Sequence, residues 1–154
     1  MNKGRVVNLT PIGIIHSADS SSGQIPRQDD DPGTVSTIEV FGEYATGLQD
    51  IEGFSHIVVI YWFHRSQGFE LLVKPPGENS LHGLFATRSP HRPCPLGLTV
   101  VELLARDENR LEVKGLDAMD GSPVLDIKPY LPEEYDPHSV RIGWLDSRRH
   151  RRGN

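Results

Sequence analysis

No window of this chain repeats its apolar residues at a helical period over three turns, and that absence constrains the fold more than any single motif. Short runs follow one another instead, cut apart by 15 glycines and 12 prolines, which break helices and make turns. TPIGIIHS (Thr10 to Ser17) reads as a strand, as does TVSTIEV (Thr34 to Val40) with its alternating β-branched residues. SHIVVIYWFHRS (Ser55 to Ser66) holds a continuous apolar run, which predicts a strand buried on both faces. EYATGLQDIEGF has room for one or two helical turns. LHGLFAT and GLTVVELLAR are strand-like, RLEVKG alternates from Arg110 to Lys114, and an Asp-Gly turn leads into VLDIKPYL. Strands at this spacing without helices between them predict an all-β fold, an antiparallel barrel or sandwich. A doubly wound nucleotide-binding fold needs strand–helix alternation and usually a Gly-x-Gly turn, and the chain has neither.

At 154 residues the chain is one domain's worth of core. A single cysteine excludes an internal disulfide framework and suits a reducing cytoplasm. The first ten residues lack the apolar region of a signal peptide, and the longest apolar run, Ile57 to Phe63, is too short to span a bilayer. These features predict a soluble, cytoplasmic protein with no membrane partner. A net charge of −5 disfavours nucleic-acid binding over the whole surface, but the C-terminal SRRHRRGN gathers Arg148, Arg149, Arg151 and Arg152. That run reads equally as a solvated tail or as a phosphate-seeking arm.

The seven histidines show no His-x-His or His-Glu-x-x-His spacing, and one cysteine cannot build a thiolate site, so no metal is expected. Ser89 lacks the Gly-x-Ser-x-Gly setting of a nucleophile elbow, and Cys94 reads as a small packed residue. What remains are polar groups attached to strand ends: Arg27 and Gln28 after Pro26, His64 and Arg65, Arg88 with His91 and Arg92, and Asp117, Asp126, Lys128 and Tyr130. Taken singly, each has a structural explanation as a cap or a solvated charge. In SPHRPCP, however, three prolines fix backbone angles and remove N–H donors, so the loop is a stiff, pre-organised surface.

GFSHIVVIYWFHRS, GLFATRSPHRPCPLGLTVVELL and GLDAMDGSPVLDIKPYLP, with IGIIHS and PRQ, resemble in order and spacing the signature blocks of the TrmO family (TsaA- or YaeB-like), from Ile12 to about Pro132. The resemblance implies a closed or nearly closed antiparallel β-barrel with little helix, a methyltransferase fold unlike the Rossmann type. The resemblance is placed in a barrel domain, 1–135; beyond it the residues themselves read as a C-terminal loop, an apolar anchor (RIGWL) and the basic tail, 136–154.

Members of that family use S-adenosyl-L-methionine to methylate N6 of threonylcarbamoyl-adenosine at tRNA position 37, and they act as homodimers. By resemblance, cofactor contacts fall on Pro26, Arg27, Gln28, His64, Arg65, Arg88, Leu98, Lys114, Gly115, Leu116 and Asp117. Residue chemistry agrees: arginine suits a carboxylate, and Asp117 suits ribose hydroxyls. For the proton that the acceptor nitrogen must lose, Asp126 and Tyr130 are the candidate bases; Arg92 and Lys128 are candidates for the substrate carboxylate. Two further readings stay open: a methyltransferase of the same fold with another acceptor, and a non-catalytic module that binds S-adenosylmethionine or RNA. The family usually has Asn where Cys94 stands.

Overall fold

The computed structural model describes residues 4, 6–17, 33–132 and 137–147. Its strands are β1 (Gly13–Ser17), β2 (Val35–Val40), β3 (His56–Trp62), β4 (Leu72–Val73), β5 (His82–Gly83), β6 (Leu96–Asp107), β7 (Arg110–Lys114) and β8 (Pro123–Pro129). Six of them close a barrel in the order β1-β2-β7-β6-β3-β8, and every neighbouring pair is antiparallel. Closure removes the free sheet edges that short strands would otherwise expose. Helix is confined to 3-10 turns at Gly42–Leu48, Ile51–Gly53 and Leu84–Ala86 and one turn at 145–147 among the described residues.

Alternation along each strand fills the interior. Ile15, Ile38, Val40, Ile57, Val59, Val101, Leu111, Val113 and Val124 point inward and are buried. Burying each such side chain is worth about 1.5–3 kcal/mol. β1 can lie this close to β2 because Gly13 has no Cβ, which would run into the Glu39 carbonyl. β6 is the long strand. It pairs with β3 from Leu96 to Glu102 and with β7 from Glu102 onward, and its register shifts between Leu103 and Ala105. Such an irregularity bends a strand and lets one strand serve two neighbours around a barrel.

Two expectations need correction. β3 is buried on one face only: Val58 and Ile60 are half-buried and Trp62 is 45% exposed on the outer wall. Its apolar run continues outside the barrel because the register partners Val100, Leu98 and Leu96 are apolar too. LHGLFAT is not a core strand. It makes the two-residue β5, paired with β4, and then a 3-10 turn in which Leu84 is buried and Phe85 is exposed.

The ends of the barrel differ. The 3-10 turns after β2, with buried Leu48, lie at one end together with the β6–β7 connection. The connections that leave β1, β3 and β7 emerge at the other. After β8 the segment 137–147 returns to the β3–β6 connection. There Trp144 stacks on His82 with centroids 4.2 Å apart and donates Nε1–H to the Ala86 carbonyl at 2.9 Å.

Candidate functional site

At the end where β3, β7 and β1 run out, the barrel core changes from aliphatic to polar. Tyr61 is the last inward residue of β3 and is buried. Its register partner in β6 is Gly97, and a Cβ there would overlap the Tyr61 ring. The glycine lets the ring cross the strand, with Phe63 edge-on at 5.3 Å, and carries the phenol to the barrel mouth. There Tyr61 donates to Asp117 Oδ1 at 2.8 Å, and Thr99 donates to the same oxygen at 2.6 Å. The two hydroxyls lie 3.3 Å apart, each with its one hydrogen engaged by Asp117. Burial, and then the Asp117 charge, push the Tyr61 phenol well above its ordinary range, so it stays a donor; the Arg88 guanidinium opposes that shift from within electrostatic reach.

Asp117 reaches this place by a short sequence device. Gly115 follows β7 with φ 90, a left-handed conformation that favours glycine. Leu116 then turns into the core and anchors the chain, and Asp117 comes back over the mouth. With Phe63, His64, Arg65, Ser66, Met119 and Ser122 it lines a small cleft that opens to solvent. Buried Ser122 holds His64, Oγ to Nδ1 at 3.3 Å.

The proline-rich loop forms a neighbouring wall. Ser66 donates its hydroxyl hydrogen to the Pro90 carbonyl at 2.9 Å and also contacts His91 Nδ1 at 3.1 Å. A serine has one hydrogen, so Nδ1 of His91 must donate, which in the neutral ring leaves Nε2 as an acceptor. Arg92 Nη1 donates to the carbonyls of Leu84, Thr87 and Ser89 at 3.4, 2.8 and 3.3 Å. The Arg92 guanidinium lies 5.8 Å from the Phe85 ring centroid, within cation–π range. Arg88 sits between two of the carbonyls that Arg92 holds, and its own side chain is free among the described residues.

The structure therefore brings together His64, Arg65 and Asp117 at the barrel mouth, with Lys114 and Gly115 leading into it, Leu116 buried in the core beneath it and Arg88 in the adjoining wall. Pro26, Arg27 and Gln28 lie outside the described residues, in the connection between β1 and β2. Leu98 does not share the cavity. It is 54% exposed on the outer wall, opposite Ile60. Asp126 flanks Ile60 from the other side and binds Lys128 Nζ at 2.8 Å, which holds the lysine ammonium above its ordinary range. Tyr130 lies at the far end of β8, its ring 6.4 Å from that of His56. Within one protomer these outer-wall residues do not converge with the mouth.

Sequence reasoning missed Tyr61, Thr99, Phe63, Ser66, Met119 and Ser122. One signal was available: a glycine inside a strand, as at Gly97, marks a close approach by something large. Among the described residues, no group of three His, Cys, Asp or Glu is gathered for a metal ion, and no helix is long and apolar enough to cross a membrane.

Six antiparallel strands closed on themselves, with a carboxylate-centred pocket at one mouth, define a small β-barrel domain. Residues 14–136 match the tRNA-methyltransferase O N-terminal domain family, and the chain belongs to it. It is 48% identical over 142 residues to a probable S-adenosyl-L-methionine-binding protein of Pyrococcus abyssi, covering 92% of this chain and 77% of that one. It is 38% identical over 135 residues to the tRNA (adenine(37)-N6)-methyltransferase of Escherichia coli K12, covering 79% and 56%. The crystal structure of TrmO from Pseudomonas aeruginosa superposes with a TM-score of 0.72 at 33% identity, covering 90% of this chain and 62% of that one. The chain thus spans less than two-thirds of the length of these two methyltransferases.

Proposed function

We propose that this chain is an S-adenosyl-L-methionine-dependent methyltransferase that methylates N6 of threonylcarbamoyl-adenosine at position 37 of tRNA, working as a cytoplasmic homodimer. The single observation that carries the cofactor assignment is Asp117. Its Oδ1 is held by two hydroxyls from inside the barrel, and its Oδ2 has no partner among the described residues. A carboxylate presented in this way suits a ribose diol. Arg88 supplies a free fork for a carboxylate nearby, and Phe63 and Met119 give the cavity an apolar side for a base. The residues present fit the group. The resemblance adds Pro26, Arg27, Gln28 and Leu98 to that set.

When bound, S-adenosylmethionine supplies an electrophilic methyl on a positively charged sulfur. The protein's part is to hold the acceptor nitrogen in near-attack geometry and to accept the proton it loses. Asp126 and Tyr130, on the outer wall, could do so only for the site of a second copy. His91, with Nε2 as an acceptor in the neutral ring, stands one hydrogen bond from the cavity lining. Lys128 shares the outer wall with Asp126 and would meet a substrate carboxylate there. Arg92 is engaged by the carbonyls of its own loop, so a substrate carboxylate would have to draw it away from them. The outer strip Trp62, Leu96, Leu98 and Val100 supports the homodimer, being apolar and exposed across two strands.

A second reading, methyl transfer to another acceptor, draws on the Pyrococcus relative, whose name gives S-adenosylmethionine binding without tRNA. Labelled methyl transfer into tRNA with and without the threonylcarbamoyl group separates the two. The proposal expects incorporation only into the modified tRNA. Tight cofactor binding with transfer to neither would remove it.

A further inference from the structure

We infer that Tyr61 and Thr99 are positioning residues that give the mouth its selectivity for an unmodified ribose, by fixing which oxygen of Asp117 faces the pocket. The inference rests on the cofactor assignment above and deepens it. An aspartate at a barrel mouth would ordinarily rotate and share both oxygens with water. Here Oδ1 is tied from below by two neutral donors, at 2.8 and 2.6 Å, that belong to different strands. Neither donor can turn away. The Tyr61 ring is wedged over Gly97 and against Phe63, and Thr99 is a buried, inward residue of β6. The carboxylate is left with one oxygen for the pocket, an acceptor that cannot donate.

A single fixed acceptor favours a ligand offering hydroxyl donors over the same ligand lacking one. A site built to take a hydroxyl also rejects its deoxy analogue, because a desolvated acceptor is then left without a partner. Tyr61 and Thr99 make no bond to the ligand in this account. Their effect is on discrimination, which a purely structural contribution would leave unchanged.

The test measures binding of S-adenosylhomocysteine and of its 2′-deoxy and 3′-deoxy analogues to the full chain, to Tyr61→Phe and to Thr99→Val, with thermal melting of each variant. Wild type should prefer the ribose form by about tenfold or more over at least one deoxy analogue. Tyr61→Phe keeps the ring packing, and Thr99→Val keeps the side-chain size. Each should shrink that preference by about threefold or more, mainly by weakening the ribose form. If wild type binds S-adenosylhomocysteine with a preference that either folded variant retains in full, the inference is wrong while the cofactor assignment stands. If wild type binds none of the three ligands, the assignment itself fails and takes the inference with it.

Discussion

Arg92 Nη1 donates to the Thr87 carbonyl at 2.8 Å, and this bond divides the work of two arginines in one loop. Arg92 faces its own main chain, which leaves Arg88 as the loop arginine proposed for the cofactor. Replacing Arg92 with Ala should loosen residues 84–92 and weaken S-adenosylmethionine binding several-fold without removing a ligand contact. Arg92→Lys should restore little, because a compact, strongly hydrated ammonium lacks the planar guanidinium that reaches the Phe85 ring and the loop carbonyls together. Hydrogen exchange across the loop, beside a cofactor titration, checks this; unchanged loop protection in Arg92→Ala would contradict it.

Gly97→Ala should destabilise the barrel by about 1–3 kcal/mol, because the new methyl overlaps the Tyr61 ring and the neighbouring strands cannot move apart. Pairing it with Tyr61→Leu should recover part of the loss, since the ring is the obstacle. Denaturant melts of the two single variants and the double give the coupling. Additive losses would show that the ring is not what Gly97 accommodates.

The outer strip yields a prediction about assembly. Trp62→Glu or Leu98→Glu places a charge on an exposed apolar face without touching the core. Either should turn dimer into monomer in light scattering and leave the melting of the protomer fold nearly unchanged. A wild type that is monomeric at micromolar concentration would contradict the assignment of this face to a second copy.

The basic tail, Arg148 to Asn154, lies outside the described residues, but its point of departure does not. Trp144 fastens the preceding segment to His82 and Ala86, on the same connection that carries Arg88. Deleting the tail should leave cofactor affinity intact, raise the KM for tRNA and flatten its salt dependence, as expected when phosphate contacts are lost. A loss of cofactor binding in the truncated chain would show that the tail belongs to the pocket.

Much of the barrel was legible because alternation is a local property. The inward set of β7, Leu111 and Val113, can be read directly from RLEVK, and the Gly115 turn follows it. The outer wall of β3 was not legible. Val58, Ile60 and Trp62 look like core in sequence, and only the pairing with β6 shows that they face outward. The site divides in the same way. Asp117 and Arg88 stand among the polar groups at strand ends and take a cofactor role from the family resemblance, whereas Thr99 is an ordinary strand residue until closure brings it to Asp117 Oδ1. Asp126 and Tyr130 share one short stretch with Lys128, and the strand that holds them sets them apart from the mouth of their own barrel, a separation that sequence order does not carry.

The central claim, that the barrel mouth between Asp117 and Arg88 holds S-adenosylmethionine, is tested most directly by calorimetric titration of the cofactor into wild type, Arg88→Ala and Asp117→Asn with no RNA present. Wild type should bind at one site per chain, and each variant should lose about tenfold or more in affinity while melting as a folded barrel, since each removes a charge-assisted contact. Wild-type affinity in both folded variants would contradict the claim and move the cofactor to another surface.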